Sequence, residues 1–211
     1  MRIGLVSDTH GYFDPQLAEA LAGSEAIIHA GDVGSGEVLE QLGQIAPVHA
    51  VRGNVDFEAG WPLSLTLSLG GVTIHVLHIL PAAQSDLEAW GSPARSSADL
   101  PAAAHRLCHA FDPSIEVVVF GHSHSPCLVQ LEDVLWVNPG SAGKKRFRLP
   151  RTYALLETSG DRLQARVLPL ERYNGRLPET VRLKRVFDDF EEHQTRSRVR
   201  SYSGRGGTGD H

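Results

Sequence analysis

The chain opens with three short apolar runs, each breaking off into a polar loop, and the first two loops are followed by helix-patterned segments. Ile3–Val6 ends in Ser7-Asp8-Thr9-His10-Gly11, Ala26–His29 in Ala30-Gly31-Asp32, and Val48–Val51 in Arg52-Gly53-Asn54. Between them, Pro15–Leu21 (Leu17, Ala18, Leu21) and Glu37–Leu42 (Val38, Leu39, Leu42) carry apolar residues at helical spacing. Strands joined through helices pair in parallel, because a tight hairpin cannot connect them. Parallel strands place all their carboxyl ends on one edge, where ligands collect. The three polar loops therefore belong to one edge.

The remaining pattern is mixed. Leu63–Leu69 alternates, Gly70-Gly71 supplies a tight turn, and Val72–Leu77 returns as a hairpin partner. Val117–Phe120 reads as a buried strand running into Gly121-His122-Ser123-His124. Cys127–Leu131 with Val134–Val137, and Tyr153–Glu157 with Leu163–Leu168, read as two further hairpins. They turn at Glu132-Asp133 and Ser159-Gly160-Asp161. Pro101–Phe111 reads as a helix, and the Ala-, Ser- and Pro-rich stretch 81–100 as a long loop beside His78. These elements predict an α/β fold of two packed mixed sheets with helices outside.

From about Arg172 the composition shifts. Leu183, Val186, Phe187 and Phe190 fall at i, i+3, i+4, i+7 and predict an amphipathic helix. Its stripe has to cover the core or a second copy of the chain, which would make a homo-oligomer. The division expected is a globular domain over 1–171, a helical appendage over 172–194 and a disordered tail over 195–211.

Composition narrows the function. A net charge of −5 argues against non-specific nucleic-acid binding. Two cysteines, Cys108 and Cys127, make no disulfide framework and point to a reducing compartment. No secretory leader is visible at the start, and the apolar run near Val72 to Leu80 is broken by His75 and His78, too short for a membrane span. A soluble cytoplasmic protein is expected.

The polar signals supply two Asp, one Asn and four His: Asp8, His10, Asp32, Asn54, His78, His122 and His124. Asp8 and His10 sit two apart, so both can reach one ion from extended chain, and His122 and His124 also sit two apart after a buried strand. Alone, each is a polar turn, a cap or a core histidine. Together they are the oxygen and nitrogen donors that two neighbouring divalent cations require. Paired cations suit phosphate-ester hydrolysis. His105 and His109 are four apart on a helix, but no third ligand is apparent in sequence, so they read as a helix face.

The order Asp-x-His, Gly-Asp, Gly-Asn, His, Gly-His-x-His resembles the calcineurin-like metallophosphoesterases. Gly31-Asp32-Val33, Gly53-Asn54-Val55-Asp56 and Asn138-Pro139-Gly140-Ser141 resemble its small prokaryotic phosphodiesterase branch, itself similar to vacuolar sorting protein 29. The resemblance covers roughly Met1 to Leu170. It implies a four-layer α/β/β/α sandwich of two mixed sheets flanked by helices. It implies a first metal on Asp8, His10, Asp32 and His124. Asp32 would bridge to a second on Asn54, His78 and His122. Manganese is the expected ion, with zinc, iron, nickel or magnesium as alternatives. Hydroxide generated between the metals would attack phosphorus in a small phosphate ester, most naturally a diester.

Asp32, Asn54 and Asp56 are expected to serve catalysis, and Asn54, Asn138 and Ser141 to contact substrate, with a plain turn role as the alternative for Asp56, Asn138 and Ser141. Trp90 and Arg95 are candidate contacts from the long loop, and Lys144-Lys145-Arg146-Phe147-Arg148 is a basic cluster after the Asn138 loop. Two positions depart from the family pattern. Val55 stands where many relatives carry a general-acid His, and Ile79 where Gly usually follows the ligand His. A second reading keeps the fold without chemistry, as a protein-interaction scaffold of the sorting type. Missing ligand histidines would mark that case, and here every position is filled.

Overall fold

The computed structural model describes residues 1–57, 60–91, 100–145 and 149–184. The three expected parallel strands and the two helices between them form. β1 (Arg2–Val6), β2 (Ala26–His29) and β3 (Val48–Ala50) pair in parallel, with Leu5 opposite Ile28 and Ile28 opposite His49. The intervening helices are α1 (Pro15–Leu21) and α2 (Gly36–Gly43). Asp14 and Ser35 cap them, each accepting a backbone N–H two residues on.

β4 (Ser64–Leu69) and β5 (Val72–Leu77) form a hairpin, and left-handed φ values at Gly70 and Gly71 (59° and 75°) make its tight turn. β5 pairs in parallel with β6 (Val117–Val119), and β6 with β8 (Val134–Asn138). β7 (Cys127–Leu131) completes this sheet against β8. β9 (Thr152–Ser159) and β10 (Arg162–Pro169) extend the first sheet from β1. With β11 (Val181–Lys184) on the free edge of β10, the two sheets run β11-β10-β9-β1-β2-β3 and β4-β5-β6-β8-β7.

Three apolar cores fix the layering. Ile3, Leu5 and Ile28 of one sheet meet Ile74, Val76, Val117 and Val119 of the other. Leu17, Leu21, Val38 and Leu42 cover the outer face of the first sheet through Val6 and Ile27. Leu87, Ala104 and Leu107 cover the second through Val118, Phe120 and Trp136. The result is the four-layer α/β/β/α sandwich.

Two expectations need correction. The stretch 81–100 is not all loop: Gln84–Trp90 forms helix α3, with Leu87 buried against the second sheet. Trp90 is partly buried and packs against that same core. Arg95 lies outside the described residues, as do Arg146, Phe147 and Arg148. The expected helix Pro101–Phe111 is shorter, α4 (Ala102–Cys108).

The second correction concerns the C-terminal stripe. Leu183 belongs to strand β11 (Val181–Lys184), antiparallel to β10 with Leu163 opposite Leu183. Val181 and Leu183 pack on the inter-sheet core, so the first sheet continues into the segment expected as a helical appendage. Val186, Phe187, Phe190 and the tail 195–211 lie outside the described residues. Cys108 and Cys127 are free thiols. Among the described residues, no helix is long and apolar enough to cross a membrane.

Candidate metal centre

The strand ends bring the seven expected residues together. Backbone bonds lace the first two loops: Asp8 N–H donates to Gly31 O (3.0 Å), His10 N–H to Asp32 O (2.9 Å) and Gly11 N–H to Val33 O (2.6 Å). A methyl at Gly53 would overlap the backbone and carboxylate of Asp32, so only glycine lets the third loop approach this closely. Six non-glycine residues among those described have left-handed φ, and five are Asp8, His10, Asp32, His122 and His124. Such conformations cost roughly 1–3 kcal/mol each and cluster at functional sites.

The side chains fall into two groups. His10 Nε2 lies 3.1 Å from His124 Nε2, and His124 Nε2 lies 3.3 Å from Asp8 Oδ1. On the other side, Asn54 Oδ1 is 3.1 Å from His78 Nε2 and 2.9 Å from His122 Nδ1. Asp32 stands between them, with Oδ2 3.8 Å from His10 Nε2 and Oδ1 3.3 Å from His78 Nε2. Ligand atoms of Asp8, His10 and His124 fall within 4.8 Å of one another, as do those of Asp8, Asp32 and His78.

Whether this set fits a cation can be judged from His78. Its Nδ1 is 2.7 Å from Ala30 O, a carbonyl that only accepts, so Nδ1 carries the proton. In neutral His78 the Nε2 lone pair then faces oxygens of Asp32 and Asn54, with Asp8 Oδ1 at 4.0 Å. Lone pairs converging on one point need a positive charge among them. Asp8 repeats the message: it is fully buried, and Oδ1 accepts no hydrogen bond. Burial pushes its carboxyl up to about 6, partly offset by Ser7 and His78. Asp32 is held down at about 2 despite burial, by the Val55 N–H and by His78 in its protonated form, whose Nε2–H then points at Asp32. His78 is raised despite burial, chiefly by Asp32 and Asp8. The donor set fits divalent cations, with His78 oriented through a backbone carbonyl as metal-ligating imidazoles usually are.

Other expected residues support the loops. Asp56 is buried, and its carboxylate accepts from Val33 N (3.0 Å), Gly34 N (2.8 Å) and Gly53 N (2.8 Å). It ties the Asp32 loop to the Asn54 loop. Asn138 is fully buried and spends its amide on Gly121 O, Ser123 Oγ and Gln84 Oε1, so it cannot reach a substrate. Ser141 Oγ donates to Asp8 O (2.8 Å). His75 lies away from the group, 2.8 Å from Thr66 Oγ1 and against the Phe111 ring. Lys144 lies over the Tyr12 ring, and Lys145 pairs with Glu171.

Sequence reasoning missed two residues. Gln84, from α3, accepts from Ser123 Oγ and donates to Ser125 O, clamping the histidine loop. No local signal marks it. His29 is fully buried, with Nε2 2.9 Å from Thr9 Oγ1, whose hydroxyl donates to Val33 O. Burial pushes its imidazole down to about 3. Its position at the end of β2 is the one hint the sequence offers.

Beside Asn54 and His78 opens a cavity of about 480 Å³, also lined by Arg52, Phe57, Leu63, Leu77 and Ile79. The large hydrophobics exposed among the described residues are Phe57 (80%), Leu63 (66%), Ile79 (51%) and Val55 (43%). Three of these four line this one cavity.

This combination of two facing sheets and a His/Asp/Asn cluster across their strand ends defines a metallophosphoesterase architecture. The family model for the calcineurin-like phosphoesterase superfamily domain matches residues 1–161, and the chain belongs to that superfamily. A probable metallophosphoesterase of Methanocaldococcus jannaschii is 29% identical over 180 residues, covering 81% of this chain and 82% of that protein. Vps29 of Chaetomium thermophilum shares the fold at a TM-score of 0.69 and 18% identity, over 90% of this chain and 98% of that one. A structure described as a novel archaeal phosphodiesterase aligns at a TM-score of 0.54 and 23% identity, over 80% of this chain and all of that one (100%).

Proposed function

We propose that this phosphoesterase hydrolyses a phosphodiester with two divalent ions bound at the strand ends. The observation that carries this reading is Asp32, whose two oxygens divide between the His10 side and the His78 side. Asp8, His10, Asp32 and His124 would hold one ion, and Asp32, Asn54, His78 and His122 the other. Manganese suits this mixed oxygen and imidazole set, as do iron and zinc. Such a pair supplies water activation and neutralisation of phosphoryl charge.

The chain's own residues set the rest. One water is consumed: its oxygen bonds to phosphorus, the ester P–O bond breaks, and the departing alcohol oxygen takes up a proton. Val55, half-exposed at the site's edge, has no proton to give, so solvent protonates that oxygen. A leaving group that is a weak base is favoured. The apolar cavity next to Asn54 and His78 receives an organic group of the ester, and Arg52 on its wall attracts the anion. A diester, with organic groups on both sides of phosphorus, uses that space. The archaeal phosphodiesterase neighbour supports this choice, and the two free thiols suit a cytoplasmic setting.

The test is turnover of bis(p-nitrophenyl) phosphate by purified protein, first stripped of metal and then supplied with Mn²⁺. Metal-dependent release of nitrophenolate is expected. Asp32→Asn is expected to lower it on the order of a hundredfold or more while the fold persists. Absence of turnover with each of Mn²⁺, Zn²⁺, Fe²⁺, Ni²⁺ and Mg²⁺ overturns the proposal and favours the scaffold reading.

A further inference from the structure

A second cluster of metal-ligating side chains lies on the outer helical layer, on elements that supply none of the seven residues above. His105 sits in the last turn of α4 and His109 caps it. Four residues apart, they share one helix face. The fold brings up a third donor that the sequence does not reveal. Glu132, in the two-residue turn between β7 and β8, places Oε1 2.6 Å from His105 Nδ1. One ligand atom from each of His105, His109 and Glu132 falls within 4.8 Å of the other two.

Glu132 is also the sixth left-handed non-glycine residue, at φ 51°. The first position of such a turn is ordinarily Gly or Asn. The other five strained residues are all candidate metal ligands, and this one too presents a ligating side chain. His105 and Glu132 are partly buried, His109 exposed, so solvent and an incoming ion have access.

We propose that His105, His109 and Glu132 form a third, separate metal site selective for a Zn²⁺-class ion. Two imidazoles and one carboxylate are a donor set that zinc accepts in tetrahedral geometry, with the fourth position open to water. Ca²⁺ and Mg²⁺ want six or more oxygens and are disfavoured. The His105–Glu132 contact of 2.6 Å must open by about 0.7 Å to admit the ion, since ligand atoms about 2.0 Å from zinc lie roughly 3.3 Å apart. The ion ties the end of α4 to the β7–β8 turn, and β8 ends in Asn138, which holds the His122–His124 loop.

The test counts zinc bound after chelation, reloading with Zn²⁺ and dialysis. Wild type and Asp32→Asn are compared with His109→Ala and Glu132→Gln. The last two are expected to hold one equivalent fewer than wild type and to lose part of the zinc-dependent rise in melting temperature. Asp32→Asn, which loosens the strand-end ions, still holds the one equivalent at α4, and adding Glu132→Gln to it removes that equivalent. Mn²⁺-supported turnover in Glu132→Gln stays at the wild-type level, because no residue of the strand-end centre is touched. Equal zinc content and equal melting shifts in wild type and Glu132→Gln overturn the proposal. Glu132→Gln preserves shape, so the result stands even if His109→Ala fails to fold.

Discussion

Asp56→Asn separates a brace from a catalyst. The Asp56 carboxylate takes three backbone N–H groups, those of Val33, Gly34 and Gly53. A hydrogen bond to a charged group contributes roughly 1.5–3 kcal/mol net, and a buried donor left unpaired costs about 1–3 kcal/mol. Asparagine's single carbonyl oxygen can keep the Val33 and Gly53 bonds, both now made to Oδ2. Its NH₂ must then face the Gly34 N–H, donor against donor. The expected loss is about 2–3 kcal/mol. For a chain of this size that lowers the melting temperature by roughly 5–10 °C. Because the Asp32 and Asn54 loops loosen together, half-maximal activation needs more Mn²⁺. At saturating Mn²⁺, kcat stays within about threefold of wild type, since the carboxylate points at backbone and not at substrate. Thermal denaturation, Mn²⁺ titration and steady-state kinetics measure the three effects. A kcat loss on the order of a hundredfold with unchanged stability would show that the carboxylate acts in the reaction.

Two further outcomes follow from the site. Ile79→Gly removes one wall of the apolar cavity, and a half-buried side chain of that size is worth about 1 kcal/mol. KM for an aryl phosphodiester should rise roughly fivefold with kcat little changed, and an unchanged KM would place the organic group elsewhere. Metal affinity should also fall in acid. In the metal-free protein Asp8 protonates at about 6, and a protonated carboxyl must release its proton to ligate. From pH 7 to 5 the apparent Kd for Mn²⁺ should rise about tenfold from Asp8 alone. The raised His78 steepens the dependence in the same direction. Isothermal titration at the two pH values reads this, and a pH-independent Kd would refute it.

Much of the fold was legible because its determinants are local. Each parallel strand is a short apolar run, and each ligand follows directly at its end, so finding the strands also finds Asp8, Asp32 and Asn54. Helix α3 was not legible. It has seven residues, no side-chain cap on Ala83, and one fully buried anchor, Leu87. Packing of Leu87 and Trp90 on the second sheet decides it, and that surface is invisible in sequence. Strand β11 failed for a different reason. Leu183 opens a helix-spaced series but also alternates with Val181 at the period of a strand. The free edge of β10 settles the choice in favour of the ladder.

The candidate ligand set was legible and its supports were not, and this asymmetry follows from what holds these side chains in place. Five of the candidate ligand residues occupy left-handed backbone that their own side chains disfavour, so local sequence cannot keep them there. The opposing constraint comes from distant groups. Ser141 binds the Asp8 carbonyl from 133 residues away, Asn138 meets Gly121 and Ser123, and Gln84 reaches Ser123 and Ser125 from another helix. Each is a single polar residue whose local sequence would equally suit a cap or turn. Motif residues carry their chemistry in their identity, whereas braces acquire theirs only when two remote elements meet. Substituting a brace should therefore loosen metal binding first and leave the chemistry of the loaded site close to intact. Substituting a ligand should abolish both together.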